Sequence, residues 1–122
     1  MIKTSLAFLT LLAALLATGA AQAACIYPRA PDNIPDGRTA TMDQMVAAQK
    51  AVKQFDADIA AYNACLTMEL EAMMADPGID EARKAELAEM QVKKNNAAVD
   101  EAQAVADRFN EQVRAFKEAN PK

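Results

Sequence analysis

Apolar side chains recur at steps of three, four and seven residues between positions 45 and 73, which is the spacing of one face of an α-helix. The stripe consists of Met45, Val52, Phe55, Ile59, Tyr62, Leu66 and Met73. Thr41 and Gln44 precede it at the spacing of a capping box, in which two residues bond reciprocally at a helix start. Pro77 and Gly78 follow it, because proline interrupts a helix and glycine accepts the positive φ of a chain reversal. The pattern predicts a first helix over residues 41–75.

A second apolar stripe follows this reversal, and Asp80 and Glu81 are placed to cap its helix and to interact favourably with the helix dipole. The stripe consists of Leu87, Met90, Val105, Phe109, Val113 and Phe116. It predicts a helix over residues 80–119, although residues 93–98 contain no large apolar side chain. A short connection makes the helices pack antiparallel, with facing residue numbers that sum to about 155. We therefore expect an all-α, coiled-coil-like antiparallel two-helix hairpin over residues 41–122.

Residues 24–40 differ from both helical segments because they contain prolines at positions 28, 31 and 35. Proline lacks the amide hydrogen that helices and central strands require, so this segment should form an extended arm. Within it, Ile34-Pro35-Asp36-Gly37 is typical of a turn in which Gly37 adopts positive φ. In extended form the chain from Thr41 back to Cys25 covers up to roughly 50 Å. This is enough for Cys25 to reach the middle of the first helix if the arm folds back along the hairpin.

The first 23 residues have the pattern of a signal peptide for export. Lys3 supplies a positive charge, residues 6–16 are apolar, and Ala21-Gln22-Ala23 fits the small-x-small cleavage motif. The alternative is a retained membrane anchor, but the apolar run is shorter than the ~20 residues that cross a bilayer. We expect cleavage after Ala23, no membrane span in the remaining chain, and a location in the bacterial periplasm or outside the cell.

The two cysteines leave three roles open for Cys25: a lipid anchor, one half of a disulfide, or a reactive thiol. Lipidation is disfavoured because Gln22 stands where lipoprotein signals usually have leucine. It would also leave Cys65 unpaired in an oxidising compartment. The spacing between the cysteines is not that of a C-x-x-C redox motif, which disfavours a catalytic thiol. We expect a Cys25–Cys65 disulfide that straps the arm onto the hairpin.

The strap predicts a contact between the arm and one part of the second helix. A disulfide at Cys65 would bring Tyr27 and Pro28 near Asn95 and Asn96, where the helix has no bulky core residue. The arm would then fill a gap in the apolar stripe. Solvent exposure of both asparagines is the simpler alternative.

Composition excludes several classes of function. The chain has 13 basic and 17 acidic residues and no histidine. An acidic chain without a basic cluster is not expected to bind nucleic acid or anionic lipid. Without histidine, Ser-His-Asp catalysis, Cys-His catalysis and the usual zinc sites are absent, and no glycine-rich phosphate loop is present. Paired acidic residues are more typical of solvated helix faces. We expect no enzyme activity, no cofactor and no metal site.

Methionine suggests a weaker alternative, because soft sulfur ligands select Cu(I). The candidate ligands are Met42, Met45, Met68, Met73 and Met74. The spacing of Met42 and Met45 would place two sulfurs on one helix face. Methionine also fills irregular gaps in helical cores, which is the more common role.

Several motifs together resemble a family of small, exported bacterial proteins with no assigned function. They are Cys25-x-x-Pro28, Ile34-Pro35-Asp36-Gly37, Tyr62-x-x-Cys65-Leu66, Asn96-Ala97-Ala98-Val99-Asp100 and Phe109-Asn110-Glu111-Gln112-Val113-Arg114-x-Phe116. The resemblance covers most of the chain after the predicted signal peptide. It implies an envelope protein held by a Cys–Cys clip, and it brings no catalytic residue.

The pattern favours a non-enzymatic structural or protein-interaction module of the bacterial envelope. The alternative is a periplasmic chaperone-like protein or inhibitor that holds a partner helix in its groove. A hairpin buries only part of each helix, so Val46, Val92 and Val99 should stay partly exposed in a monomer. Either the arm or a second hairpin could cover this surface. We expect the arm to cover it, with weak homo-oligomerisation as the alternative.

Overall fold

A computed structural model describes residues 24–122, so the predicted signal peptide lies outside the described residues. Two helices make up most of this range, α1 over Met42–Ala75 and α2 over Glu81–Ala119. The two helices pack against each other, and the range contains no strand. The predicted all-α hairpin is therefore confirmed. Neither of the two helices is long and apolar enough to cross a membrane.

Short polar side chains begin both helices. The Gln44 amide donates to Thr41 Oγ1 at 3.2 Å, and the Thr41 amide donates to Gln44 Oε1 at 2.8 Å. This reciprocal pair is the predicted capping box. Asp80 Oδ1 accepts a hydrogen bond from the Arg83 amide at 2.8 Å and caps α2 in the same way. These bonds satisfy amides that have no partner inside the first turn of a helix.

The reversal between the helices is closed by an aspartate. The Asp76 amide donates to the Met73 carbonyl at 3.2 Å, and Asp76 Oδ1 accepts from the Gly78 amide at 2.7 Å. No glycine in the described range has positive φ, so the left-handed conformation expected at Gly78 is wrong. The side chain of Asp76 stabilises the turn instead, as aspartate commonly does by bonding to an amide two residues on.

Two clusters of buried side chains join the helices. The inner cluster consists of Phe55, Ile59, Ala98 and Val105. The cluster nearer the open end of the hairpin consists of Met45, Ala48 and Phe109. Ala98 is fully buried, so the helices are in apolar contact at the end of residues 93–98, and the half-buried Asn95 lies one turn before it. A hydrogen bond from Gln91 Nε2 to Thr67 Oγ1 at 3.3 Å joins residues whose numbers sum to 158, close to the expected 155.

The arm folds back along the hairpin from Cys25 to the start of α1. Its Ala30 and Ile34 pack against the inner cluster, so the arm covers one side of the helix pair. The Asp36 carbonyl accepts from the Thr39 and Ala40 amides at 3.1 and 2.9 Å. The turn therefore lies just after the predicted residues 34–37, because the Asp36 carbonyl is the acceptor that closes it.

Gly37 is required for a close approach rather than for positive φ. It is buried, and its amide donates to Gln112 Oε1 at 2.9 Å. A Cβ atom built on Gly37 would overlap the Gln112 backbone carbonyl and would lie 2.7 Å from the Phe116 amide nitrogen. Only a residue without a side chain lets the arm backbone reach the α2 backbone here.

Gly37→Ala should lower the free energy of unfolding by about 1–3 kcal/mol, because the added methyl group forces the arm or α2 to shift. Gly78→Ala is the matched control, since the nearest atom to its added Cβ is a side-chain oxygen of Asp76 at 3.1 Å. The control should change stability by less than about 1 kcal/mol. Urea unfolding of both variants measures the difference, and equal stabilities would contradict the close approach.

The arm leaves the opposite face of the hairpin uncovered. Val46, Val92 and Val99 are 40%, 58% and 54% exposed, which confirms that they stay partly exposed in the monomer. On α1, Tyr62 lies about 160° around the helix axis from Val46. On α2, Glu101 lies about 200° around the axis from Val99. The arm contacts Tyr62 and Glu101, so the expectation that it covers the valine surface is wrong.

Candidate functional site

A disulfide between Cys25 and Cys65 anchors the arm to the middle of α1, with Cα atoms 5.8 Å apart. This confirms the predicted pairing. The Cys25 amide also donates to Glu69 Oε1 at 3.1 Å. The two sulfurs and the Glu69 carboxylate lie within 4.8 Å of one another, a spacing that could suit a metal ion. Metals bind the thiolate form, and both sulfurs are used in the disulfide, so the group acts as a structural clip.

Tyr27 connects the arm to both helices. Its hydroxyl donates a hydrogen bond to Glu101 Oε2, on α2. Its ring packs edge-on against Tyr62 of α1, with ring centroids 5.0 Å apart and an interplanar angle of 74°. Each tyrosine lies two or three residues from a cysteine of the disulfide, so the covalent bond itself brings the two rings together.

The residues predicted to form the arm contact have different surroundings. Tyr27 is hydrogen-bonded to Glu101, which lies roughly 8 Å further along α2 than Asn95 and Asn96. Pro28 and Asn95 are half-buried, whereas Asn96 is exposed. Asn95 Oδ1 is enclosed and has no hydrogen-bond partner among residues 24–122. No sequence pattern singles out Glu101, because its role depends on the rotation of α2 about its own axis.

The Tyr27 hydroxyl should lose its proton at a higher pH than an ordinary tyrosine. Burial, followed by the hydrogen bond to Glu101 and the negative charge of that carboxylate, raises the pKa of Tyr27 from 10.0 to about 12. The folded state thus favours the neutral phenol. The stability that this proton contributes is complete below about pH 10 and is lost as the pH rises towards 12.

Tyrosinate absorbance measured across alkaline pH tests this, with Tyr27→Phe as the reference. Subtracting the titration curve of the variant isolates Tyr27, and the difference curve should have its midpoint near pH 12. A midpoint near pH 10 would show that the hydroxyl is not held by Glu101.

A groove of about 600 Å³ lies at the open end of the hairpin, between the start of α1 and the end of α2. Its apolar lining consists of Met42, Met45, Val46, Phe109, Val113 and Phe116. Its other lining residues are Ala40, Thr41, Gln49, Lys117, Asn120 and Lys122. Met42 is 62% exposed, although its neighbours in the groove include the buried Met45 and Phe109. The open-end groove is therefore an exposed continuation of the apolar core.

The methionines named as candidate copper ligands lie in different parts of the fold. Met42 and Met45 both line the open-end groove. Met68 is exposed, and Met73 and Met74 are half-buried near the closed end of the hairpin. Met45 belongs to the core, the role that methionine commonly has in helical proteins. Copper binding stays the weaker alternative, and Met42 and Met45 are the two candidate ligands that share this groove.

Sequence reasoning did not identify the open-end groove. The apolar pattern predicts core positions at Met45, Phe109, Val113 and Phe116. It does not show that Met42 and Val46 lie beside them and are exposed to solvent. A partial signal is present, since both lie within five residues after the Thr41 cap, where the arm gives way to α1.

Comparison with known proteins gives no family assignment. No protein family, curated protein or solved structure matches the chain. The resemblance to small exported bacterial proteins stays a prediction. A function can be proposed only from the strapped hairpin and its open-end groove.

Proposed function

We propose that the protein is a non-enzymatic protein-interaction module that acts in the bacterial periplasm or outside the cell. The open-end groove carries this proposal, because it is a concave surface lined mainly by apolar side chains, and such exposed surfaces commonly mark interaction sites. The predicted signal peptide and the disulfide support export, since disulfides persist in oxidising compartments. A sulfur in a disulfide cannot also bear a lipid, which favours a form without an anchor at Cys25.

The chemistry of the open-end groove favours binding over catalysis. None of its lining side chains is a carboxylate, thiol or imidazole that could act as a general base or nucleophile. The single hydroxyl, on Thr41, already accepts the capping hydrogen bond of α1. What the groove offers is apolar area together with two lysines and two amide side chains.

A dedicated module and a chaperone-like protein or inhibitor would both use this surface. The disulfide and the packed arm favour a dedicated module, because a rigid scaffold presents one shape to its partner. A chaperone would bind many unfolded proteins through the same apolar residues.

Capture from a bacterial envelope extract on the immobilised, oxidised protein tests the proposal. We expect one stoichiometric partner, lost with Val46→Asp, which places a charge in the groove. Val92→Asp is the matched control, because Val92 is also exposed but does not line the groove. Many unfolded proteins in the captured fraction would indicate the chaperone-like function instead. Capture unaffected by Val46→Asp would overturn the assignment of the groove.

A further inference from the structure

The rim of the open-end groove is positively charged. Lys117 and Lys122 are the charged residues of its lining, and neither belongs to an ion pair in the described chain. Lys84 and Lys93, nearer the closed end, are each paired with a glutamate. Residues 61–102 contain nine acidic and four basic residues, so the negative charge of the chain is concentrated away from the groove. The groove therefore suits a ligand that is apolar on one side and acidic at its edges.

The dimensions and walls of the groove favour a helical ligand. Along α2 the lining extends from Phe109 to Asn120, about 16 Å, which is the length of about three helical turns. Both walls are helical, formed by the first turns of α1 and the last turns of α2. An extended peptide would find no strand edge to pair with, whereas a helix satisfies its own backbone.

We propose that the open-end groove binds an amphipathic α-helix of a partner protein, and that Asp or Glu side chains of this helix pair with Lys117 and Lys122. This inference rests on the proposed function and specifies the partner's chemistry. The apolar face of the bound helix covers Met42 and Val46, so the hairpin becomes part of a three-helix bundle. The two lysines select acidic over basic helices.

A second copy of this chain fits the groove less well. A symmetric contact places the same surface of both copies together. Lys117 and Lys122 of one copy would then lie near the same lysines of the other, and no Asp or Glu side chain lines the groove to separate them. Repulsion between like charges disfavours this arrangement.

Binding of two synthetic helical peptides to the oxidised protein tests the inference. Both peptides carry leucines at the i, i+3, i+4 and i+7 spacing of an apolar helix face, and they differ in having glutamate or lysine on the flanks. Fluorescence anisotropy should show at least about tenfold tighter binding of the glutamate peptide at low salt, with the difference shrinking as salt is added. Val46→Asp should abolish the binding of both peptides.

Two charge-reversal variants separate local from overall charge. Lys117→Glu combined with Lys122→Glu should reverse the preference between the peptides. Lys93→Glu combined with Lys94→Glu changes the net charge equally but lies outside the groove, so it should keep the preference for the glutamate peptide. Circular dichroism establishes that each variant is folded before binding is measured.

The outcomes distinguish the inference from the function on which it rests. Equal binding of both peptides, abolished by Val46→Asp, would overturn charge selection and leave the groove as a docking surface. If neither peptide binds while Val46→Asp still abolishes capture of the envelope partner, the partner is not such a helix. Failure of both peptide binding and capture would overturn the proposed function as well. A dimer in sedimentation that dissociates with Val46→Asp would identify a second copy as the occupant.

Discussion

Replacing Cys65 with serine should lower the free energy of unfolding by about 4 kcal/mol. The disulfide joins residues 40 positions apart. In the chain-entropy description, closing a loop of this length lowers the entropy of the unfolded chain and so stabilises the folded state by about this free energy. Small domains have a total stability of roughly 5–15 kcal/mol, so the loss should be a large fraction of it. Urea unfolding of the oxidised wild type and of Cys65→Ser measures the difference directly.

Two controls assign the loss to the covalent bond. Cys25→Ser combined with Cys65→Ser should be no less stable than Cys65→Ser alone, and reduction of the wild type should reproduce the loss. The intact mass of the oxidised protein should be lower by two hydrogens than that of the reduced form. A diacylglyceryl mass on Cys25 or a stability loss below about 1 kcal/mol would contradict the role of the clip.

Phe55→Ala should cost about 3–5 kcal/mol, because it removes a large side chain from the inner cluster and leaves a cavity between the helices and the arm. Phe55 is 2% exposed and belongs to the cluster against which Ala30 and Ile34 of the arm pack. Chemical unfolding monitored by the helical circular dichroism signal gives the value.

Met68→Ala is the control for Phe55→Ala on the same helix. Met68 is 64% exposed, so its replacement by a better helix former should change stability by no more than about 0.5 kcal/mol. Similar losses for the two variants would show that the inner cluster is not the source of stability.

The arm connects the disulfide to the open-end groove. It is fixed at Cys25 by the covalent bond, and Gly37 then contacts the α2 backbone at Gln112 and Phe116. Phe116 also lines the groove, so the arm packs against α2 directly beside the groove. A shift of the arm at Gly37 is therefore transmitted to a residue of the proposed docking surface.

Local and covalent features of this protein were determined by its sequence. The apolar spacing and the Thr41 and Asp80 caps define two helices, since caps and periodicity depend on residues within one or two turns. The short link at Pro77 makes the helices antiparallel. Cys25 has one other cysteine with which to pair, so the sequence allows a single disulfide, Cys25–Cys65.

Features that depend on the rotation of each helix were decided only by the tertiary structure. A small change in rotation or register moves a side chain from one face of the hairpin to the other, and the heptad pattern does not fix it within a residue. This is why Tyr27 meets Glu101, and why the arm lies opposite Val99. The same packing brings Gly37 against the α2 backbone and leaves the open-end groove uncovered.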